Sequence, residues 1–356
     1  MPLCVTPVYD IISLGEVMLR LDPGDGRIRT ARSFRVFEGG GEYNVARAFK
    51  KCFNKNSAVL TAFADNEVGT LLEDLIMQGG VDTRFIKKVP YDGIGAACRN
   101  GLNFTERGFG VRGGLGVSDR ANTAVSKLTP SDFDFDEIFG SYGTRLFHTG
   151  GIFAALSETS AALALEAVKK AKEYGALVSY DLNYRPSLWK TRGIEKAREV
   201  NREIVKYVDI LLGNEEDFSA CLGLDTGDFT RPELTKYDDM LRTAASAYPG
   251  ISVIATSIRG VKTASCNSWT AKAISGGTVY DAISFPSLEI YDRVGGGDSF
   301  ASGLLYGILS GFDIKKSLDF GVAHGALTMT TPGDTSAASL AEVERLASGG
   351  NARTVR

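Results

Sequence analysis

Short apolar runs alternate with amphipathic helical segments along most of this chain, and that alternation constrains its fold more than any other feature. Residues 10–15 (Asp-Ile-Ile-Ser-Leu-Gly) and 58–63 (Ala-Val-Leu-Thr-Ala-Phe) read as buried strands, and 44–53 and 68–78 read as helices, the second closed by Gly79-Gly80. The spacing predicts a further helix over 158–174: Ser157 can cap it, Glu158 suits its first turn, lysines stand near its end and Gly175 terminates it. A strand over 177–182, a helix over 194–206, a strand over 208–212, a helix over 215–222, a strand over 252–256 and a helix after Asp298 complete the series. Such β–α alternation predicts an α/β fold with a mainly parallel sheet, helices on both faces and ligands at the carboxyl ends of the strands.

Two stretches, 18–37 and 93–118, break the pattern, being rich in glycine, arginine and short alternating runs. They read as strands of a small lid over the site, with ordinary surface hairpins as the alternative. The organisation is one domain over 1–349 carrying these lid strands, followed by a mobile tail at 350–356.

Composition restricts the partners. A net charge of -3 leaves no electrostatic footprint for nucleic acid, and no basic block marks a membrane surface. No apolar run approaches the roughly 18 residues that a membrane span needs, and the amino end has no leader pattern, so a cytoplasmic location is expected. The five cysteines, Cys4, Cys52, Cys98, Cys221 and Cys266, have no C-x-x-C spacing, which argues for reduced thiols without zinc. His148 and His324 are the only histidines, which rules out a multi-histidine metal centre; His324, in an apolar run, reads as a packed helix residue.

Three glycine clusters call for separate readings. Gly108-Phe109-Gly110-Val111-Arg112-Gly113 matches G-x-G-x-x-G, but more glycines and a strand-like run follow it instead of a helix, so the match is chance. No P-loop sequence occurs, and Leu14-Gly15-Glu16-Val17-Met18 lacks the glycines of a dinucleotide-binding dehydrogenase. Gly39-Gly40-Gly41-Glu42-Tyr43-Asn44 leads into a helix, and Asn44 offers a donor and an acceptor to hydroxyl groups. In Asp292-Arg293-Val294-Gly295-Gly296-Gly297-Asp298-Ser299-Phe300, the glycines occupy the first turn of a helix or the loop before it. Backbone N–H groups there can hold phosphate oxygens, and Asp298 stands where a carboxylate could take a proton from an attacking hydroxyl. A glycine turn with an acidic cap is the plainer alternative.

Together, residues 39–46 and 292–300 resemble the two motifs of the PfkB (ribokinase-like) carbohydrate kinases. Asp181-Leu182-Asn183-Tyr184-Arg185-Pro186 is similar to that family's D-x-N-x-R element, and Asn214-Glu215-Glu216-Asp217 to its N-x-x-E element. The stretch 257–269 resembles the nucleotide-site strand and turn of the 2-keto-3-deoxygluconate kinases. The resemblance implies a ribokinase-like three-layer sandwich, ATP and Mg2+ as cofactors, with K+ as a further candidate, and a homodimer through the lid strands. It also implies that Asp298 is the catalytic base and that the Gly295, Gly296 and Gly297 amides form the anion hole.

The same resemblance assigns the nucleotide to Asn183, Asn214, Ser257, Arg259, Gly260 and Lys262, with Gly295 and Gly297. It lays adenine and ribose against 257–262 and 323–326, and gives the metal shell to Asp217 or Glu216. Departures are visible: Ser257 stands where many relatives carry the first glycine of a G-x-x-G turn, and Asp217 where the family usually has glutamate. On the sugar side it implies Gly40, Asn44, Asn103, Arg120, Arg185 and Asp334. A guanidinium suits the carboxylate of a keto-deoxy sugar acid, and Arg20 and Arg112 are additional candidates for anion contact. Asn103 and Ser118 stand where tyrosines are expected. The implied activity is phosphorylation of the terminal C6 hydroxyl of 2-keto-3-deoxygluconate. The alternatives are another sugar, fructose or 5-dehydro-2-deoxygluconate, or a binding protein without turnover.

Overall fold

The computed structural model describes residues 6–229 and 233–350. Strand β1 (Tyr9–Leu14) leads through β2 (Met18–Asp22) and β3 (Arg35–Gly39) into α1 (Gly41–Lys51), β4 (Ser57–Ala64), α2 (Glu67–Gln78) and β5 (Ile86–Val89). The hairpin of β6 (Leu102–Glu106) and β7 (Leu115–Asp119) precedes β8 (Thr144–Gly150), α3 (Gly151–Ala155), α4 (Glu158–Glu173) and β9 (Leu177–Asp181). Then come α5 (Pro186–Trp189), α6 (Ile194–Val205), β10 (Ile210–Leu212), α7 (Glu215–Leu222), α8 (Leu234–Ala247) and β11 (Val253–Thr263). The carboxyl part comprises β12 (Cys266–Ser275), β13 (Thr278–Asp281), β14 (Phe285–Glu289), α9 (Gly296–Leu309), α10 (Ile314–Thr328) and α11 (Leu340–Ala347).

The large sheet has the order β13-β12-β11-β10-β9-β8-β1-β4-β5, parallel from β11 to β5, with β12, β13 and β14 paired antiparallel. Side chains alternate across it. Ile12, Phe147 and Val178 pack into one apolar cluster with α4, while Ile11, Leu146 and Ile210 pack into another with α1, α9 and α10. Helices therefore cover both faces, giving the ribokinase-like three-layer arrangement.

Local signals account for several boundaries. Ser157 caps α4 by accepting from Ser160 N, and the helix ends at Glu173 before Gly175, whose φ of 85° suits glycine. Central strand β8 carries no clear sequence signal, because Arg145 and His148 interrupt its apolar residues. Both histidines are packed: His148 Nδ1 lies 3.2 Å from Ser179 Oγ, and His324 Nδ1 lies 2.9 Å from Ser302 Oγ. Burial lowers their pKa values to about 3 and about 4, so both stay neutral.

The two irregular stretches form a second sheet of order β3-β2-β6-β7, in which β2 and β6 run parallel and the other pairs antiparallel. Its β6–β7 hairpin reaches across to the turn between β11 and β12. Ala264 N donates to Gly110 O at 2.8 Å, and Gly110 N donates to Ser265 Oγ at 3.1 Å. The chance glycine motif at 108–113 thus forms the tip of this hairpin. The expected tail at 350–356 lies outside the described residues from 351 onward. No described helix is long and apolar enough to cross a membrane.

Candidate active site

A cleft of about 590 Å³ opens at the carboxyl ends of the parallel strands, beneath the second sheet. Two helix starts converge on it. Helix α1 begins at Gly41, one turn earlier than the apolar periodicity suggests, with Gly40 as its cap. A Cβ on Gly40 would overlap the Glu16 carbonyl, so only glycine allows this approach of α1 to the end of β1. Helix α9 is capped by Gly295 at φ 80°, which places Gly296, Gly297 and Asp298 in its first turn. Among the described residues, the N–H groups of Gly297 and Asp298 have no hydrogen-bond partner. They face the cleft at the positive end of the helix, an arrangement that binds anions.

Asn44 crosses the cleft floor to Asp298, its Nδ2 donating to Oδ2 at 2.6 Å. Burial, opposed by this hydrogen bond, raises the Asp298 pKa to about 6. Asp298 is one of a group of acids. Burial together with mutual repulsion raises Glu42 to about 8, Asp181 to about 6 and Asp217 to about 7. Glu42 and Asp181 are cleft residues outside the expected set, although Glu42 follows the glycine cluster at 39–41 and Asp181 opens the D-x-N-x-R element.

The N-x-x-E element forms the start of α7 as a capping box: Asn214 Oδ1 accepts from Asp217 N, and Asp217 Oδ2 accepts from Asn214 N at 2.8 Å. Asp217 Oδ1 accepts from Tyr184 N at 2.7 Å, so both oxygens already serve the backbone. Glu216 is exposed on the cleft wall. Asn183, at φ 35°, also lines the cleft. No described group of three acids, histidines or cysteines forms a metal cage. The set fits Mg2+ held through water and phosphate oxygens, because closely placed acids with raised pKa values favour a cation between them.

On the cleft wall beside β7, Arg120 donates from Nε and Nη2 to Glu16 Oε2 at 2.8 and 2.5 Å, and its Nη1 has no hydrogen bond among the described residues. Arg185 has no carboxylate partner among the described residues and donates to Tyr184 O. Asn103 and Ser118, the two positions without tyrosine, face each other across β6–β7, and Ser118 Oγ donates to Asn103 Oδ1 at 3.1 Å. Gly40, Asn44 and Asp334 complete this wall, with the Asp334 pKa raised to about 6 by burial against the pull of Arg20.

Several expectations need correction. Arg20 is buried and pairs with Asp22 at 3.0 Å, with Asp292 at 2.5 Å and with Asp334, so it is a structural cation and not an open anion ligand. Arg112 pairs with Glu106 within the lid sheet at 2.9 Å. Residues 257–262 form the end of extended strand β11, and the turn of the expected strand and turn falls at 264–265, between β11 and β12. Strand alternation then directs Ser257 and Arg259 into the cleft, while Gly260 and Lys262 fall outside its lining. Residues 323–326 are buried in α10, where Trp269 packs over Gly325 and donates to Val322 O, so Trp269 lines the cleft in their place.

Comparison with known proteins agrees with this geometry. The model of the "pfkB family carbohydrate kinase" matches residues 9–340. A 2-dehydro-3-deoxygalactonokinase of Haloferax volcanii is 32% identical, covering 96% of this chain and 98% of its own. A 5-dehydro-2-deoxygluconokinase of Clostridium perfringens is 26% identical over 91% of this chain and 88% of its own. The crystal structure of 2-dehydro-3-deoxygluconokinase from Thermotoga maritima superposes with a TM-score of 0.87 at 34% identity, covering 95% and 98% of the two chains. With a glycine-capped helix that carries Asp298 in its first turn, and a family match along nearly its whole length, the chain belongs to the pfkB family of carbohydrate kinases.

Proposed function

We propose that this sugar kinase transfers the γ-phosphoryl group of ATP to the terminal C6 hydroxyl of a keto-deoxy sugar acid, with 2-keto-3-deoxygluconate as the reference substrate and 2-keto-3-deoxy-6-phosphogluconate as product. The observation that carries this reading is the placement of Asp298 beside unpartnered backbone N–H groups at the start of α9, with Arg120 and Arg185 on the same cleft.

Asp298 accepts the hydroxyl proton as the oxygen attacks the γ-phosphorus and the bond to the ADP oxygen breaks. Asn44 keeps the carboxylate oriented, and the Gly297 and Asp298 amides stabilise charge on the moving phosphoryl group. Asn183, Asn214, Ser257 and Arg259 hold the nucleotide, and the free edge of Arg120 with Arg185 binds the sugar carboxylate. Asp217 and Glu216, with Asp181 and Glu42 lining the same cleft, would hold Mg2+ through water, and the bound ion would neutralise phosphate charge. The exposed Val36, Leu115 and Val117 of the lid sheet support a homodimer through this sheet.

A second reading, a kinase for 5-dehydro-2-deoxygluconate or a neutral ketose, is favoured by Asn103 and Ser118, which open the sugar wall where two rings would narrow it. A coupled assay of ADP formation tests both, with 2-keto-3-deoxygluconate and its galactonate epimer beside 5-dehydro-2-deoxygluconate and fructose. Preference for 2-keto-3-deoxygluconate or its galactonate epimer, with a large KM increase in Arg120→Ala, supports the first reading. Equal use of fructose, with KM unchanged in that variant, would overturn it.

A further inference from the structure

We propose that Arg259 and Arg293 together form a clamp for the polyphosphate chain of the nucleotide, a site in which Arg293 gains a binding role. Both guanidinium groups line the main cleft and an adjoining cavity of about 420 Å³ under the lid hairpin. Among the described residues, neither makes a hydrogen bond or an ion pair. The acids nearest in sequence to Arg293 are already committed: Asp292 pairs with Arg20, and Asp298 accepts from Asn44. Arg107, the third arginine of that cavity, stacks 4.4 Å over Tyr291 and pairs with Asp22 and Asp25. Two cations therefore face one space without an ion-pair partner among the described residues, and partial desolvation together with their mutual repulsion lowers the Arg259 pKa.

Placement and charge identify the anion. Arg293 lies two residues before Gly295, on the loop that delivers the anion-binding turn of α9, and its Nε sits beneath Gly114 of the lid hairpin. Arg259 reaches the same space from β11. A sugar carboxylate brings one negative charge and is already served by Arg120 and Arg185. A triphosphate brings several charges along a chain long enough for two guanidinium groups to bind different phosphates. Lid contact with the β11–β12 turn at Gly110 closes one side of this space.

The inference rests on ATP being the donor, and the test separates the two. Binding of ATP, inorganic tripolyphosphate and adenosine to the full chain is measured by calorimetry at two salt concentrations for the native protein, Arg259→Gln, Arg293→Gln and Arg293→Lys. The clamp predicts that each glutamine variant weakens tripolyphosphate binding about tenfold or more, as loss of a charge-assisted contact should, with a shallower salt dependence. Adenosine binding and the sugar KM stay within about twofold, and Arg293→Lys recovers part of the loss. Both arginines are exposed, so unchanged melting curves are expected. Native tripolyphosphate affinity in both glutamine variants would overturn the clamp and leave the donor reading intact. A raised sugar KM with unchanged tripolyphosphate binding would assign the pair to the substrate carboxylate instead. A native protein that binds neither ATP nor tripolyphosphate would overturn the donor reading and the clamp together.

Discussion

The side-chain amide of Asn44 donates a 2.6 Å hydrogen bond to Asp298 Oδ2, joining residues 254 positions apart at the starts of two helices. This contact links the glycine cluster that opens α1 to the glycine turn that opens α9. It also favours the ionised form of Asp298, against the burial that disfavours it.

Turnover should therefore depend on this carboxylate being deprotonated. With the Asp298 pKa raised to about 6, kcat/KM should rise with pH through that region and level off above it. Asp298→Asn should lower kcat roughly 10³-fold, the order expected for loss of a general base. Initial rates from pH 5 to 9 check both, and turnover retained by the asparagine variant would remove Asp298 from the chemistry.

Removing the Asn44 amide should shift the same titration. Because its hydrogen bond lowers the Asp298 pKa, Asn44→Ala should move the acid limb of the profile to higher pH as well as reduce kcat. A residue with a merely structural role would lower the rate without displacing the limb.

The acids of the cleft should make the ligand-free protein less stable as pH rises. Glu42 has an ordinary value of 4.5 and is raised to about 8 in the folded state, so the folded protein binds more protons between these values. Its contribution to stability is fully present below about 4.5 and lost as pH rises through about 8. Glu42→Gln should flatten the fall in melting temperature across this window. Scanning calorimetry of both proteins without nucleotide decides it; an unchanged slope would exclude Glu42 as a source.

Arg20 should matter for folding before catalysis. It is the buried cation shared by Asp22, Asp292 and Asp334, so Arg20→Met strands three acids in low dielectric. A loss of about 3–5 kcal/mol is expected, the usual cost of breaking a buried ion pair from one side. Arg20→Lys should recover part of it, as urea unfolding would show.

Two glycines at the start of α9 should behave differently. A Cβ on Gly295 would overlap the Asp334 carbonyl, and its φ of 80° is unfavourable for alanine, so Gly295→Ala should lose both stability and turnover. Nothing lies within 4 Å of a Cβ on Gly297, and alanine is favoured over glycine in a helix by about 1 kcal/mol. Gly297→Ala should thus keep or raise the melting temperature, while any loss of kcat reports phosphate packing against the bare backbone.

The sequence by itself determined the parallel three-layer plan, because period-2 and period-3.6 apolar patterns and helix caps such as Ser157 are local signals. It also marked the glycine turn before Asp298 as a candidate anion site, with a glycine turn carrying an acidic cap as the plainer alternative. Tertiary structure decided what no local pattern carries. Arg20 reads as an open cation along the chain, but pairing of β2 with the 292 loop and Asp334 buries it in carboxylates. The stretch 257–269 resembles a strand and turn, and its register against β12 extends the strand to Thr263, which leaves Gly260 and Lys262 outside the cleft lining. Charge supplies the physical reason: whether an arginine or an acid is free for a ligand depends on which counter-charges folding brings beside it, often from hundreds of residues away.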